Sequence, residues 1–130
     1  MMNMKYTITT PLYYVNDKPH LGSSYTTIAC DALARFNRLE GNNVLFLTGV
    51  DEHGQKIQRT AESKSLDPII HCNEISKKYK ELWDKLNISY DRFVRTTSKD
   101  HTSLVHQFYS KVLNSKDVYM GRQCGWYCVG

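Results

Sequence analysis

The stretch NNVLFLTG, residues 42–49, narrows the choice of fold more than any other part of these 130 residues. Val44 to Leu47 form an unbroken apolar run bounded by turn-forming asparagine and glycine. Such a run fits a strand buried on both faces, as in a parallel sheet. Its flanks agree. Residues 5–10, KYTITT, alternate and are rich in β-branched types, so they read as a strand. From Leu21, apolar residues recur at Tyr25, Ile28, Ala29, Ala32, Leu33, Phe36 and Leu39. That is one face of a helix of roughly five turns, ended by Gly41 as a left-handed cap. After VDEHG a polar helix runs to about Lys64. Strand, helix, strand, helix is a βαβ unit with a right-handed crossover. The fold class is therefore α/β with a parallel sheet.

Downstream, Asp67-Pro68 starts a helix, a cap residue followed by proline at the first helical position. Ile69, Cys72, Ile75, Tyr79, Leu82, Trp83 and Leu86 keep helical spacing to Asn87. Residues 92–96, RFVRT, read as a short strand. Ser98 caps another helix, with Leu104, Val105, Phe108, Val112 and Leu113 expected on its inner face. The end, VYMGRQCGWYCVG, reads as two short strands around Gly121 to Gly125.

With 41% hydrophobic residues, the chain can build one packed α/β unit and little more. The formal charge of +4 suits a polyanionic ligand, but also many proteins without one. The longest apolar run is about four residues, so no membrane span is expected. MMNMKYTITT has neither an apolar signal core nor an arginine-rich leader, which points to a cytoplasmic or organelle-stroma address. In such a reducing compartment Cys30, Cys72, Cys124 and Cys128 read as thiols or, in part, metal ligands. The chain stops just after GWYCVG with no terminating element, as a piece of something longer would.

Two polar clusters fall at the carboxyl ends of the first two strands, where open α/β sheets bind ligands. The first is KPHLGSSY, residues 18–25, at the start of the long helix. Backbone N–H groups and the helix dipole favour an anion there. Gly22 lets a flat ligand approach the backbone, and His20 and Ser23 can donate to phosphate oxygens. On this stretch alone the ordinary alternative is the better one: Asp17 and Pro19 start a helix, and His20 and Ser23 are solvated. The second cluster is Asp51, Glu52 and His53. A carboxylate there can hold an ammonium group, or Asp51 can simply cap the next helix. One site suited to an anion beside one suited to a cation fits an amino acid together with ATP.

TTPLYYVNDKPHLGSSYTT, RLEGNNVLFLTGVDEHGQKI and LWDKLNISYDRFVRTT through GWYC closely resemble the amino-terminal catalytic segment of methionyl-tRNA synthetases, a family of class I aminoacyl-tRNA synthetases. The resemblance covers nearly the whole chain and implies the following. The fold is an incomplete Rossmann-like catalytic domain over residues 1–115, with residues 116–130 entering an inserted connective domain. His20 matches the first histidine of the class signature and contacts the ATP phosphates. Gly22 matches the glycine under adenine. Ser23 stands where the signature usually has its second histidine, a departure that removes a positive charge. Leu12 and Tyr14 match methionine-pocket residues, and Asp51 the aspartate that binds the methionine ammonium. The implied reaction uses ATP with Mg2+ to form methionyl-adenylate, then charges initiator and elongator methionine tRNA.

Cys128 matches the start of a zinc knuckle found in many relatives. Its usual partner would fall past the last residue, so within these 130 residues a plain thiol is the better reading, with Zn2+ reserved for a longer protein. The family's lysine-rich second signature is absent, so these residues alone are not expected to catalyse. Two alternatives stand beside this one: a nucleotidylyltransferase sharing the half-site, and a non-catalytic remnant or binding module.

Overall fold

The computed structural model describes residues 4–122 and 124–126. The order of elements is β1 (Lys5–Thr9), β2 (Tyr13–Tyr14), α1 (Leu21–Leu39), β3 (Asn43–Asp51), α2 (Gln55–Ser63), α3 (Pro68–Lys85), β4 (Arg92–Arg95) and α4 (Lys99–Asn114). β1, β2 and β4 all pair with β3, each in parallel. Leu47 is registered with both Thr9 and Arg92, and Val50 with both Tyr13 and Arg95. A residue offers one edge to each partner. β1 and β2 therefore follow one another along one edge of β3, and β4 takes the other. Gly49 is registered with Val94, and a β-carbon there would lie 2.1 Å from the Val94 carbonyl oxygen. Only glycine lets β4 come so close.

The chain divides into two compact units, the first ending at Ser98 and the second beginning at Lys99. In the first, two apolar clusters clothe the sheet. Val15, Val50, Ile57, Cys72, Ile75, Tyr79 and Trp83 form the larger one, with α2 and α3 supplying most of it. Ile8, Ala34, Val44 and Phe46 form the smaller one under α1. Ile88 and Tyr90 pack against both. The α3 start matches its sequence signal: the Asp67 side chain accepts from the Ile69 amide at 2.9 Å, with proline in the first turn.

In the first unit the fold differs from the sequence reading at three points. β3 is nine residues long rather than a four-residue run, and its Leu45 is 40% exposed, so the strand is not covered on both faces along its length. β2 was not foreseen, because two residues carry no periodicity. The apolar stripe of α1 does not face the sheet. Leu21, Tyr25, Phe36 and Leu39 are more than half exposed, while Ser23, Thr27, Asp31, Ala34 and Asn37 are buried.

The reason lies in hydrogen bonding. A buried polar side chain is tolerated when it is paired, and each polar residue on this face is. The Asp31 carboxylate accepts from the Ser89 amide at 2.7 Å, the Ser89 hydroxyl at 2.6 Å and Arg35 Nε at 2.7 Å. Two turns beyond Asp31, Arg38 reaches Ser89 and Asp91, and the Asp91 carboxylate accepts from the Phe46 amide at 2.6 Å. This network ties α1 to the segment entering β4 and to β3 itself.

In the second unit no residue of α4 is buried, so its expected inner face, including Leu104 and Phe108, is open. No strand forms among the described residues after Asn114, where two short ones were expected. A strand needs a ladder partner, and Tyr119, Met120 and Trp126 are almost wholly exposed. No described helix is long and apolar enough to cross a membrane.

Burial by itself would raise the Asp31 carboxyl, but the Ser89 hydroxyl, Arg35 and the Ser89 amide together hold it below its usual value. A folded-state value below the unfolded one stabilises above the unfolded value and is lost as pH falls through the folded one. Asp31→Asn is therefore expected to cost about 2 kcal/mol at pH 7, as for hydrogen bonds to a charged group. That gap should narrow below about pH 4, the ordinary aspartate range. Urea unfolding of both proteins at pH 7 and pH 3 tests this; an undiminished gap at pH 3 would contradict it.

Candidate functional site

A cleft of about 350 Å³ opens at the carboxyl end of β1, between the loop carrying β2, the start of α1 and one residue of α3. Pro11, Leu12, Tyr13, Tyr14, Asn16 and Asp17 form one side; Lys18, His20 and Tyr79 complete it. Three of the residues singled out from sequence, Leu12, Tyr14 and His20, thus meet in one place. Leu12 is 38% and Tyr14 64% exposed, so both side chains are free to contact a ligand. Asp51 does not line the cleft but is registered with Tyr14 at the end of β3, one strand away.

The first polar cluster is a helix cap, though not the expected one. His20, not Asp17, is the N-cap of α1, with φ −122° and ψ 173°. Its imidazole Nδ1 accepts from the Gly22 amide at 3.0 Å. An accepting Nδ1 puts the proton of the neutral ring on Nε2. Nε2–H has no partner among the described residues and is a donor at the cleft wall. A β-carbon on Gly22 would lie 2.9 Å from His20 Cε1 and 3.1 Å from Nδ1. The glycine is thus needed to seat this ring, whatever else it allows above it.

Ser23 is 2% exposed and faces inward. Its hydroxyl accepts from the His20 amide at 3.1 Å and donates to the His20 carbonyl at 2.7 Å. The two residues form a reciprocal capping box. The hydroxyl hydrogen that was expected to meet a ligand is engaged with the backbone of the histidine.

Tyr13 and Tyr79, missed from sequence, hold the cleft together. The Tyr13 hydroxyl donates to the Ser23 carbonyl at 3.1 Å and lies 2.9 Å from the Thr27 hydroxyl. Its ring stacks on Tyr79, with centroids 5.4 Å apart and planes 4° from parallel, and Trp83 closes the group. Burial raises both phenols above their ordinary value, so both are neutral donors. The fully buried His71 faces the Val15 carbonyl through Nε2 at 2.9 Å and pins the loop to α3. A tyrosine pair in PLYY looks like strand or pocket, and nothing in its spacing says which hydroxyl reaches a helix.

In the second cluster the two carboxylates have different surroundings. The Glu52 side chain is fully buried, bound by Arg95 Nε at 2.8 and 3.1 Å and by the Thr97 hydroxyl. Asp51 is half-buried, and it is not the cap of α2. That role falls to Gly54, which makes no side-chain cap bond. The ordinary explanation for Asp51 therefore does not hold. Its Oδ1 has two long contacts, to the Thr96 hydroxyl at 3.4 Å and the His53 amide at 3.5 Å. No group of three or more His, Cys, Asp or Glu side chains among the described residues could hold a metal ion. Cys124 is an exposed free thiol, and Cys128 lies outside the described residues.

The chain is similar in sequence and fold to proteins of one family. A family model described as tRNA synthetases class I (M) matches residues 6–130. The methionine--tRNA ligase of Synechocystis sp. is 59% identical over 124 residues, 95% of this chain and 23% of that protein. The ligase of Thermotoga maritima is 50% identical over 126 residues, 97% of this chain and 20% of that protein. Mycobacterium tuberculosis methionyl-tRNA synthetase, solved in complex with methionyl-adenylate, superposes with a TM-score of 0.87 at 38% identity, over 89% of this chain and 23% of that one. The chain spans between a fifth and a quarter of the length of these relatives.

Gly22→Ala is expected to push the imidazole off the helix cap. In nitrogen-15 NMR spectra the fixed Nε2–H tautomer of His20 should give way to a mixture. An unchanged His20 tautomer in the variant would show that the ring does not depend on the missing β-carbon.

Proposed function

Since the chain belongs to the tRNA synthetases class I (M) family, we propose that it supplies the amino-terminal part of an enzyme that ligates methionine to its tRNA. The observation that carries this is the meeting of Leu12, Tyr14 and His20 at one cleft, beside the start of α1 and one strand from Asp51. About 350 Å³ is the size of a small-ligand site. Leu12 and Tyr14 offer apolar and aromatic surface to a thioether side chain. Asp51 offers a carboxylate to the ammonium group. Of the two carboxylates at the end of β3, Glu52 is already neutralised by Arg95, which leaves Asp51 for a cation.

ATP enters as its Mg2+ complex, with its phosphates at the amino end of α1. The helix dipole and the Nε2–H of His20 both favour that negative charge. The methionine carboxylate attacks the α-phosphorus, forming one O–P bond as the bond to pyrophosphate breaks. A carboxylate is ionised at neutral pH, so no general base is required. Catalysis comes from alignment and from donors aimed at charge developing on the phosphoryl group. A hydroxyl of the terminal adenosine of an initiator or elongator methionine tRNA then attacks the acyl carbon, and AMP leaves. Ser23 takes the second position of the signature by fixing the His20 backbone. Gly22 leaves room for adenine and for the His20 ring together. The need for ATP and tRNA in one compartment fits a cytoplasmic address and equally an organelle stroma. Zinc bound through Cys128 would require ligands other than those described and forms no part of the reaction.

Methionine-dependent ATP–pyrophosphate exchange tests the assignment. His20→Ala in the intact protein should lower kcat by about 100- to 1000-fold, as when one transition-state donor is lost, with a small change in KM for methionine. A rise in that KM alone would refute the donor role. Asp51→Ala should raise KM for methionine by about 10- to 100-fold, the value of a charged hydrogen bond. An unchanged methionine KM would remove Asp51 from the site.

A further inference from the structure

We infer that Thr96, at the end of β4, is the positioning residue for Asp51: its hydroxyl fixes the carboxylate that receives the substrate ammonium. The inference rests on the role proposed for Asp51 and goes beyond it, because the segment after β4 has no part in the cleft.

The geometry is specific. Thr96 is 9% exposed. Its Oγ1 accepts from the Glu52 amide at 2.9 Å. That bond occupies a lone pair and turns the O–H away from the amide. The remaining neighbour in reach is Asp51 Oδ1 at 3.4 Å, so the hydroxyl donates there. The backbone of Thr96 is held independently. Its amide donates to the Val50 carbonyl at 3.3 Å, and His53 Nε2 lies 3.3 Å from its carbonyl. On either side, Arg95 and Thr97 both bind the buried Glu52 carboxylate. The three residues Arg95 to Thr97 therefore grip the three residues Asp51 to His53. Arg95 and Thr97 satisfy the buried acid, and Thr96 orients the half-buried one. With the Thr96 hydroxyl and the His53 amide both directed at Oδ1, and the hydroxyl the only side-chain donor of the two, the carboxylate presents its other oxygen in a defined direction, which is what recognition of an ammonium at a fixed place needs.

The test is a set of variants in the intact protein, assayed by methionine-dependent ATP–pyrophosphate exchange. Thr96→Val keeps the shape and removes the hydroxyl. It should raise KM for methionine about tenfold, the effect of one hydrogen bond to a charged group. The kcat and the KM for ATP should stay within about twofold on the same reasoning. Thr96→Ser should restore the wild-type KM, and Thr96→Cys, with its weak S–H donor, gives a second reading if the valine variant does not fold. In an Asp51→Asn background, Thr96→Val should add no further loss, since the two act as one unit. A methionine KM unchanged by Thr96→Val, an equal loss for ATP, or additive losses in the double variant would each overturn the inference. If Asp51→Asn alone leaves the methionine KM unchanged, the fault lies with the role given to Asp51, and the inference falls with it.

Discussion

An inner β-strand has amide and carbonyl groups on both edges, and both edges must be paired. β3 meets this by taking β1 and β2 on one side and β4 on the other, all in parallel. Parallel pairing brings the carboxyl ends of all four strands to the same end of the sheet. The loop with Leu12 and Tyr14, the Asp51 turn and the Arg95–Thr97 segment are therefore neighbours by topology, before any side chain is considered. Gly49 is the condition for the second edge, since a β-carbon would collide with the Val94 carbonyl.

The helices are held to this sheet by unlike means. α2 and α3 use apolar burial, centred on Ile57, Ile75, Tyr79 and Trp83. α1 presents a largely polar face, and directional bonds from Asp31, Arg38 and Thr27 set its position. Directional bonds tolerate little sliding. The N-cap at His20 is consequently delivered to a fixed place beside Tyr13 and Tyr79, and the tyrosine stack carries the same constraint into the cleft.

Much of this was legible in the chain itself. The Val44–Leu47 run, the Gly41 stop and the Asp67-Pro68 start each rest on a local physical rule, and the elements they mark are present. The face of α1 was not legible, because periodicity reports where apolar residues lie and not what covers them. Buried Asp31 becomes acceptable only through Ser89, 58 residues away, which no local window contains. The same holds at the site. Leu12, Tyr14 and His20 could be found because they sit in short recognisable strings. Thr96 and Tyr79 could not, since their importance comes from partners in other elements. The alternatives weighed for the two polar clusters could be examined only in three dimensions: α1 is capped by His20 rather than by the expected Asp17, and Asp51 is no cap.

The buried Glu52 carboxylate also bears on how the fold is reached. Burying a charge before its counterion is in place is costly, and Arg95 is 43 residues further along the chain. During synthesis β1 and most of β3 can pair as they emerge, whereas α1 is fixed only once Ser89 and Asp91 have been made. The end of β3 must wait, hydrated, until β4 has been made. The two edges of the same strand therefore close at different times, and the cleft is completed by the later event, when Arg95 and Thr97 arrive at the acid beside Asp51.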